Sequence, residues 1–376
     1  MKICFVHMHK VEDEKQLEFL GNILLRVAEV FREEAEIHFL YNGDVESNYL
    51  LGKNILTHKY GDNTNGGIDR LVNPVKLILE IRKICKDNKI DIVLNLSDHY
   101  YFFWICIGAK IAGAKCIARI AGIIAESEKF TMKRRIFKLI GKLLERISLS
   151  MADHVLCLSN SLKNLLVQRD NNINKMTVIS QGVDVNFFVN RELKQIKKSP
   201  QRLLFVGRVV KYKGIYECID AFLNIRELYP DIELVICGHG HEKDALSKKY
   251  QYSGIIFKDY VSREKLNEEY LSADVLLLPS YSEGMPNVIL EAMSCKVPVI
   301  ASRTGEIPNL LKDGRGILVE PRNVNEIIEA LKTIIEDVNF RLSCVQKAHE
   351  YVLRHHSYEI VRKKTIELFS SVITKC

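Results

Sequence analysis

The residues richest in chemistry lie in one stretch, Ser280-Tyr-Ser-Glu283-Gly284-Met285-Pro286-Asn287-Val288-Ile-Leu-Glu291-Ala-Met-Ser-Cys295. An apolar run, Val275 to Leu278, leads into it and reads as a buried strand. Pro279, Gly284 and Pro286 break the chain into a loop. From Asn287 onward the pattern is helical, with Pro286 expected in the first turn, where its missing N–H goes unneeded. A helix start carries free backbone N–H groups that favour an anion. Glu283 lies in the loop and Glu291 about two turns into the helix, at about 1.5 Å per residue. Carboxylates repel phosphate but accept hydrogen bonds from hydroxyls. A ligand with hydroxyls at both ends and phosphates between them suits this layout: a nucleoside-diphosphate sugar. An acid stabilised by the helix dipole plus a solvated helix Glu explains the same spacing equally well.

A second constellation, Phe205-Val-Gly207-Arg208-Val-Val-Lys-Tyr-Lys213-Gly214, also follows an apolar run. Arginine offers a planar fork to phosphate oxygens and lysine a mobile point charge. Cations fixed beside a leaving diphosphate stabilise the transition state more than the ground state, because charge grows there as the bond breaks. The plainer reading is a solvated cluster of loop charges. Cys237-Gly238-His239-Gly240-His241-Glu242 is a third loop after a strand. Its alternating histidines lack neighbouring ligands, so no metal is expected there.

Together these stretches resemble the GT-B retaining glycosyltransferases of glycosyltransferase family 4 (glycosyl transferases group 1). Glu283 and Glu291, with seven residues between them, look like the family's E-x7-E element, and Glu-Gly-Met-Pro-Asn…Leu-Glu-Ala-Met is its context. Arg208 and Lys213 match its G-R-x(4)-K-G element. The resemblance implies an α/β GT-B fold: two Rossmann-like doubly wound parallel-sheet domains with a cleft between them. It assigns Glu283 to the transferred sugar, Glu291 to the ribose, and Arg208 and Lys213 to the donor phosphates. Backbone at Gly284, Met285, Pro286, Asn287 and Val288 would line the donor. Gly207, Gly238 and Gly240 would allow its close approach, and the segment at Tyr260 would read the base. It further implies retention of configuration by front-face attack, with no bound metal; no Asp-x-Asp ends a strand here.

The donor is expected to be a UDP-linked sugar and the acceptor a glycan or lipid-linked glycan in surface polysaccharide or glycoconjugate synthesis. The match is specific over residues 203–321 and holds in pattern only before them. The family's two adjacent glycines after the first strand are missing from Lys10-Val-Glu-Asp-Glu-Lys-Gln16, with only Gly21 later. Asp98, His99 and Arg119 are the acceptor-side candidates. Lys296 stands where glycine is usual, and Gly305 stands alone where two glycines are common. These departures keep two rivals open: a nucleotide-sugar epimerase, and a non-catalytic nucleotide-binding or partner subunit.

The elements that must position these residues follow from periodicity. Strands are expected over 1–6, 37–41, 90–96, 116–120, 152–159 and 178–179, and again over 203–206, 232–237, 255–257, 275–278 and 297–301. Helical patterns fall between them, among them 17–31, 77–86 and 100–112. Strands alternating with helices mean parallel sheets covered on both faces. The polar stretch 190–200 reads as a linker, giving domains 1–190 and 200–356. The last helix, 357–376, is expected to return to the first domain.

At 376 residues, 47% hydrophobic and 27% charged, the chain has the length and composition of a two-domain globular protein. No signal-peptide pattern opens it. Ten scattered cysteines without a CxxC suggest reduced core thiols and the cytoplasm. Between Lys129 and Leu149 seven basic residues face one acid, Glu145, so this segment carries all but one unit of the net +7. Apolar residues run among them, which suits a helix lying on an anionic membrane at the inner face of the cell, or a Rossmann helix with basic solvent positions. Nucleic acid is not expected, since aromatics are sparse and no reading motif is present.

Overall fold

The alternating apolar and amphipathic runs build two parallel sheets in the computed structural model. The structure describes residues 1–11, 35–43, 55–60, 73–96, 99–120, 143, 145–169, 175–188, 201–259 and 261–374, with backbone alone at 9–11, 99 and 100. Contacts divide the chain into two units, Met1–Ile179 with Arg362–Cys376, and Ser180–Val361.

The first unit holds β1 (Lys2–Val11), β2 (Glu36–Gly43), β3 (Leu56–Tyr60), α1 (Pro74–Asn88), β4 (Ile92–Asn95), α2 (His99–Ala112), β5 (Lys115–Ile120), β6 (His154–Cys157), α3 (Asn160–Arg169) and β7 (Met176–Val178). Its sheet runs β3-β2-β1-β4-β5-β6-β7. Sequence order reverses between β1 and β4. The central strand β4 is buried along its whole length, as a strand covered on both faces must be. Helix α1 shows why these residues coil. Asn73 caps it by accepting from the Val75 and Lys76 amides, Pro74 opens it, and Leu77, Ile81 and Ile84 fall on one buried stripe.

The second unit holds β8 (Arg202–Val206), α4 (Ile215–Leu228), β9 (Glu233–Cys237), α5 (Lys243–Lys249), β10 (Ile255–Lys258), α6 (Arg263–Ser272), β11 (Val275–Leu278), α7 (Asn287–Ser294), β12 (Val299–Ser302), α8 (Ile307–Leu311), β13 (Ile317–Val319), α9 (Val324–Glu336) and α10 (Val338–His355). Its sheet runs β10-β9-β8-β11-β12-β13, again parallel, with the reversal between β8 and β11. The period of two sorts its strand residues cleanly. Leu204, Val206, Leu276 and Leu278 pack on one face, and Leu203, Phe205, Val275 and Leu277 on the other. Residues 180–188 fall in this unit because Val183 and Phe188 are buried in its core. Helix α11 (Tyr358–Thr374) begins here, and its residues from Arg362 group with the first unit.

Two strands were not anticipated. Residues 56–60, Leu-Thr-His-Lys-Tyr, alternate weakly because β3 is an edge strand with exposed positions. Residues 317–319 make a three-residue edge strand too short to announce itself. Lys296, standing where glycine was expected, adopts φ 55, so a lysine carries the left-handed turn between α7 and β12. The helix expected over 17–31, the linker at 190–200 and residues 129–142 of the basic segment lie outside the described residues. Among the described residues, no helix is long and apolar enough to cross a membrane. The described cysteines are buried and lie outside any disulfide, and burial pushes the Cys85 thiol up to about 12.

At the start of the first sheet the His38 ring is fully buried. Its Nδ1 lies 2.9 Å from His58 Nε2 and its Nε2 lies 2.9 Å from Glu36 Oε1, which also accepts from Lys2 Nζ. A single proton can bridge the facing ring nitrogens; two would repel. Desolvation, then the neighbouring His38, pull the His58 pKa below the usual imidazole value. The unfolded chain therefore binds this proton first, at a pH of about 6.5. The stability linked to His58 is whole above that pH and is lost as pH falls below it toward the lower folded value. Thermal melts between pH 7.5 and 5.5 should show the midpoint falling through this window, and less steeply in His58→Asn than in the wild type.

Candidate functional site

The site is built where strand order reverses in the second sheet, the place at which open parallel sheets leave a crevice beyond their carboxyl ends. The loop after β8 and the loop after β11 leave neighbouring strands there, and their side chains meet. Lys213 Nζ lies 2.6 Å from Glu283 Oε1, with the lysine side chain 18% and the glutamate 9% exposed. The backbones are joined as well. The Tyr281 amide donates to the Tyr212 carbonyl at 2.9 Å. Gly214 takes φ 73 and lies so close to Pro279 that a Cβ there would stand 2.0 Å from its carbonyl oxygen. Lys213 itself sits in a single 3-10 turn, Lys211–Lys213, which Gly214 closes by donating to the Lys211 carbonyl.

The loop after β12 closes the other side. Gly305, at φ 53, passes Glu283 so tightly that a Cβ would lie 1.9 Å from the Glu283 carbonyl oxygen, and the Glu306 amide donates to the Gly284 carbonyl at 3.0 Å. Two glycines in this turn are therefore not needed; the single one occupies the crowded position. Below the loop, Met285 is buried in the core and Pro286 has extended backbone just ahead of α7. Pro286 thus precedes the helix rather than opening its first turn, since its ψ of 116° is not helical. Asn287 and Val288 begin α7, and Asn287 Oδ1, Ser280 Oγ and Thr304 Oγ1 are buried polar atoms without a hydrogen-bond partner. Such atoms cost free energy unless something polar meets them.

Glu291 lies one stripe down α7 and is 2% exposed, with Oε2 accepting from the Tyr270 hydroxyl at 2.8 Å. Arg208 is exposed beyond Gly207, its guanidinium 5.2 Å from the Tyr212 ring centroid, and Lys213 Nζ lies 5.8 Å from the same ring. This aromatic holds two cations side by side. Gly207, Gly238 and Gly240 sit where the loops after β8 and β9 touch: the Gly207 carbonyl abuts Gly238 and the Val209 carbonyl abuts Gly240. Of the two histidines in that loop, His239 is exposed and His241 is 3.5 Å from Glu242. Lys243 pairs with Asp259, linking this loop's helix to the segment after β10. Tyr260 and Asp98 lie outside the described residues, as does the His99 side chain. Arg119 is on β5 in the first unit, where desolvation pulls its guanidinium down to about 10.

Three residues escaped the sequence reading. Tyr212 sat inside a recognised motif but between its charged positions. Tyr281 donates its hydroxyl to Glu217 on α4, stacks under Arg322 at 4.5 Å and has its phenol pushed up to about 12, by burial first and then by that carboxylate. Tyr270 belongs to α6, a helix whose apolar stripe is weak. For Tyr270 and Tyr281 the one signal was a tyrosine in or beside a buried run, where a phenol needs a polar partner; Tyr212 is exposed and had only its place between the charges.

Two family descriptions match the chain: Glycosyltransferase Family 4 over residues 26–187 and Glycosyl transferases group 1 over residues 187–351. The chain is 30% identical over 283 residues to the Escherichia coli UDP-Gal:alpha-D-GlcNAc-diphosphoundecaprenol alpha-1,3-galactosyltransferase, covering 71% of this chain and 72% of that one. It is 27% identical over 341 residues to an uncharacterised glycosyltransferase of Methanocaldococcus jannaschii, covering 89% and 90%. Other relatives are matched over only 43% to 62% of their own length. The structure of Anabaena HepE in complex with UDP superposes with a TM-score of 0.77 at 18% identity, over 99% of this chain and 100% of that one.

The tight backbone contacts separate two effects of adding a methyl group. Gly113 has φ 85 but open space around its Cα, so Gly113→Ala should cost only the backbone term, about 1–2 kcal/mol. Gly214→Ala adds the collision with Pro279 and should cost clearly more in urea unfolding.

Proposed function

The chain belongs to glycosyltransferase family 4 and has the GT-B fold, and from that premise we propose that it transfers a sugar from a UDP-linked donor to a glycan or lipid-linked acceptor, with retention of configuration and without a metal ion. The observation that carries this reading is the meeting of Lys213 and Glu283 across the strand-order reversal. One is a cation suited to a diphosphate and the other an acceptor suited to a sugar hydroxyl, and the glutamate lies four positions before Asn287, where α7 begins. The names of its relatives support the donor and acceptor classes: one is a transferase from UDP-galactose to a diphosphoundecaprenol-linked sugar, and another is a structure holding UDP.

In this arrangement the diphosphate lies against Arg208, Lys213 and the start of α7. Glu291 takes the ribose hydroxyls and Glu283 a hydroxyl of the transferred sugar. The acceptor hydroxyl attacks the anomeric carbon on the face from which the nucleotide departs. The bond from that carbon to the phosphate oxygen breaks heterolytically, its electron pair going to the phosphate, which also takes the acceptor's proton. No protein nucleophile is required. Arg208 and Lys213 supply the positive charge against which the leaving group develops. Ser280, Asn287 and Thr304 provide polar atoms for which a hydroxyl-rich ligand is a suitable partner.

The basic segment 129–149 would hold the enzyme at an anionic membrane, on the cytoplasmic side where nucleotide sugars and lipid-linked acceptors meet. Glu283→Gln and Lys213→Ala should each lower turnover by at least about 10²-fold with the fold intact. The measurement is UDP release from UDP-sugars with a diphosphate-lipid-linked acceptor, beside circular dichroism; undiminished turnover in either variant would remove the mechanism. Combined Lys133→Glu, Arg134→Glu and Arg135→Glu should weaken sedimentation with phosphatidylglycerol vesicles, and unchanged sedimentation would exclude this segment as the anchor.

A further inference from the structure

We infer that Tyr270 is a positioning residue for the donor nucleoside: its hydroxyl fixes the Glu291 carboxylate in the orientation that receives the ribose hydroxyls. This rests on the proposed role of Glu291 and extends it to a residue on a different helix. Glu291 is on α7 and Tyr270 on α6, twenty-one positions earlier, and both side chains are almost wholly enclosed. The hydroxyl donates to Oε2 at 2.8 Å. A carboxylate accepts through two oxygens and about four lone-pair directions, so one bond orients the group without exhausting its capacity to accept.

The tyrosine is itself held. It is 0% exposed, and Phe188 meets it edge-on at 5.9 Å between centroids and 81° between planes. Phe187 meets Phe188 edge-on in turn, and the Arg263 guanidinium, paired with Asp184, lies 4.3 Å from the Phe187 ring. A ring so enclosed has one place for its hydroxyl. A glutamate has three rotatable side-chain bonds, and a ligand that must freeze them loses affinity in proportion. Fixing the carboxylate before the nucleotide arrives removes that loss, and the effect must fall on the ribose end of the donor alone.

This locality gives a test that a merely structural role would not pass. Tyr270→Phe keeps the ring and its packing and removes only the hydroxyl. Binding of UDP, GDP and ADP, each beside its 2′,3′-dideoxy counterpart, is measured by calorimetry on the full chain of the wild type, Tyr270→Phe and Glu291→Gln. For the nucleotide the wild type prefers, Tyr270→Phe should weaken ribose-form binding about 5- to 10-fold, the loss of one buried hydrogen bond. The dideoxy form should be bound as before, so the ratio of the two affinities shrinks. In transfer assays the donor KM should rise by a similar factor with kcat within about twofold. An equal loss for both nucleotide forms would mean a packing role, and unchanged ratios in Tyr270→Phe with collapsed ratios in Glu291→Gln would overturn the inference alone. A wild type that binds none of the three nucleotides would overturn the functional reading with it.

Discussion

The second unit depends on how closely three loops approach one another at the carboxyl ends of its central strands. The backbone after β8 runs against Pro279, and the backbone after β12 runs against Glu283, each at a distance that only a residue without a Cβ tolerates. Because these backbones touch, Lys213 and Glu283 can meet at 2.6 Å although they lie seventy positions apart. A side chain at either glycine would part the loops by about the width of a methyl group, and the meeting of cation and carboxylate would go with them. The crowding is thus a condition for that contact.

Around that contact the polar groups divide into two kinds. Some are closed by partners within the protein, such as the Tyr281 hydroxyl on Glu217 and the Tyr270 hydroxyl on Glu291. Others, Ser280 Oγ, Asn287 Oδ1 and Thr304 Oγ1, are enclosed without one. The first kind ties elements together: Tyr270 on α6 to Glu291 on α7, and the Tyr281 loop to Glu217 on α4. The second kind is expensive in an ordinary core and is found where a hydroxyl-bearing ligand would complete it. Under the proposed function, partnered tyrosines behind open polar atoms would make a preorganised site, with the loops set by the fold and not by the ligand.

The two sheets repeat one plan, with a reversal of strand order in each, but their sites were not equally legible. In the second unit the candidate residues crowd into short stretches, 205–214 and 279–291, so motif and chemistry could be read together. In the first unit the candidates are the adjacent pair Asp98 and His99 and, in another segment, Arg119, which lies on the expected strand with a desolvated guanidinium. Edge strands β3 and β13 were missed for a related reason. A half-exposed or three-residue strand leaves almost no periodic trace, whereas buried central strands such as β4 and β11 are unmistakable apolar runs.

The amino-acid order by itself determined the alternation of strand and helix, the parallel sheets that follow from it, and the stretches that carry Arg208, Lys213, Glu283 and Glu291. These are local properties: burial on two faces needs a continuous apolar run, and a helix start after a strand needs its cap and its proline close by. Tertiary structure alone decided that Lys213 faces Glu283, that Gly305 is the glycine the crowded turn requires, and that Tyr270 lies against Glu291. Those pairings join residues whose separation along the chain carries no period. Each arises from the order of strands in the sheet, which brings distant loops to one edge.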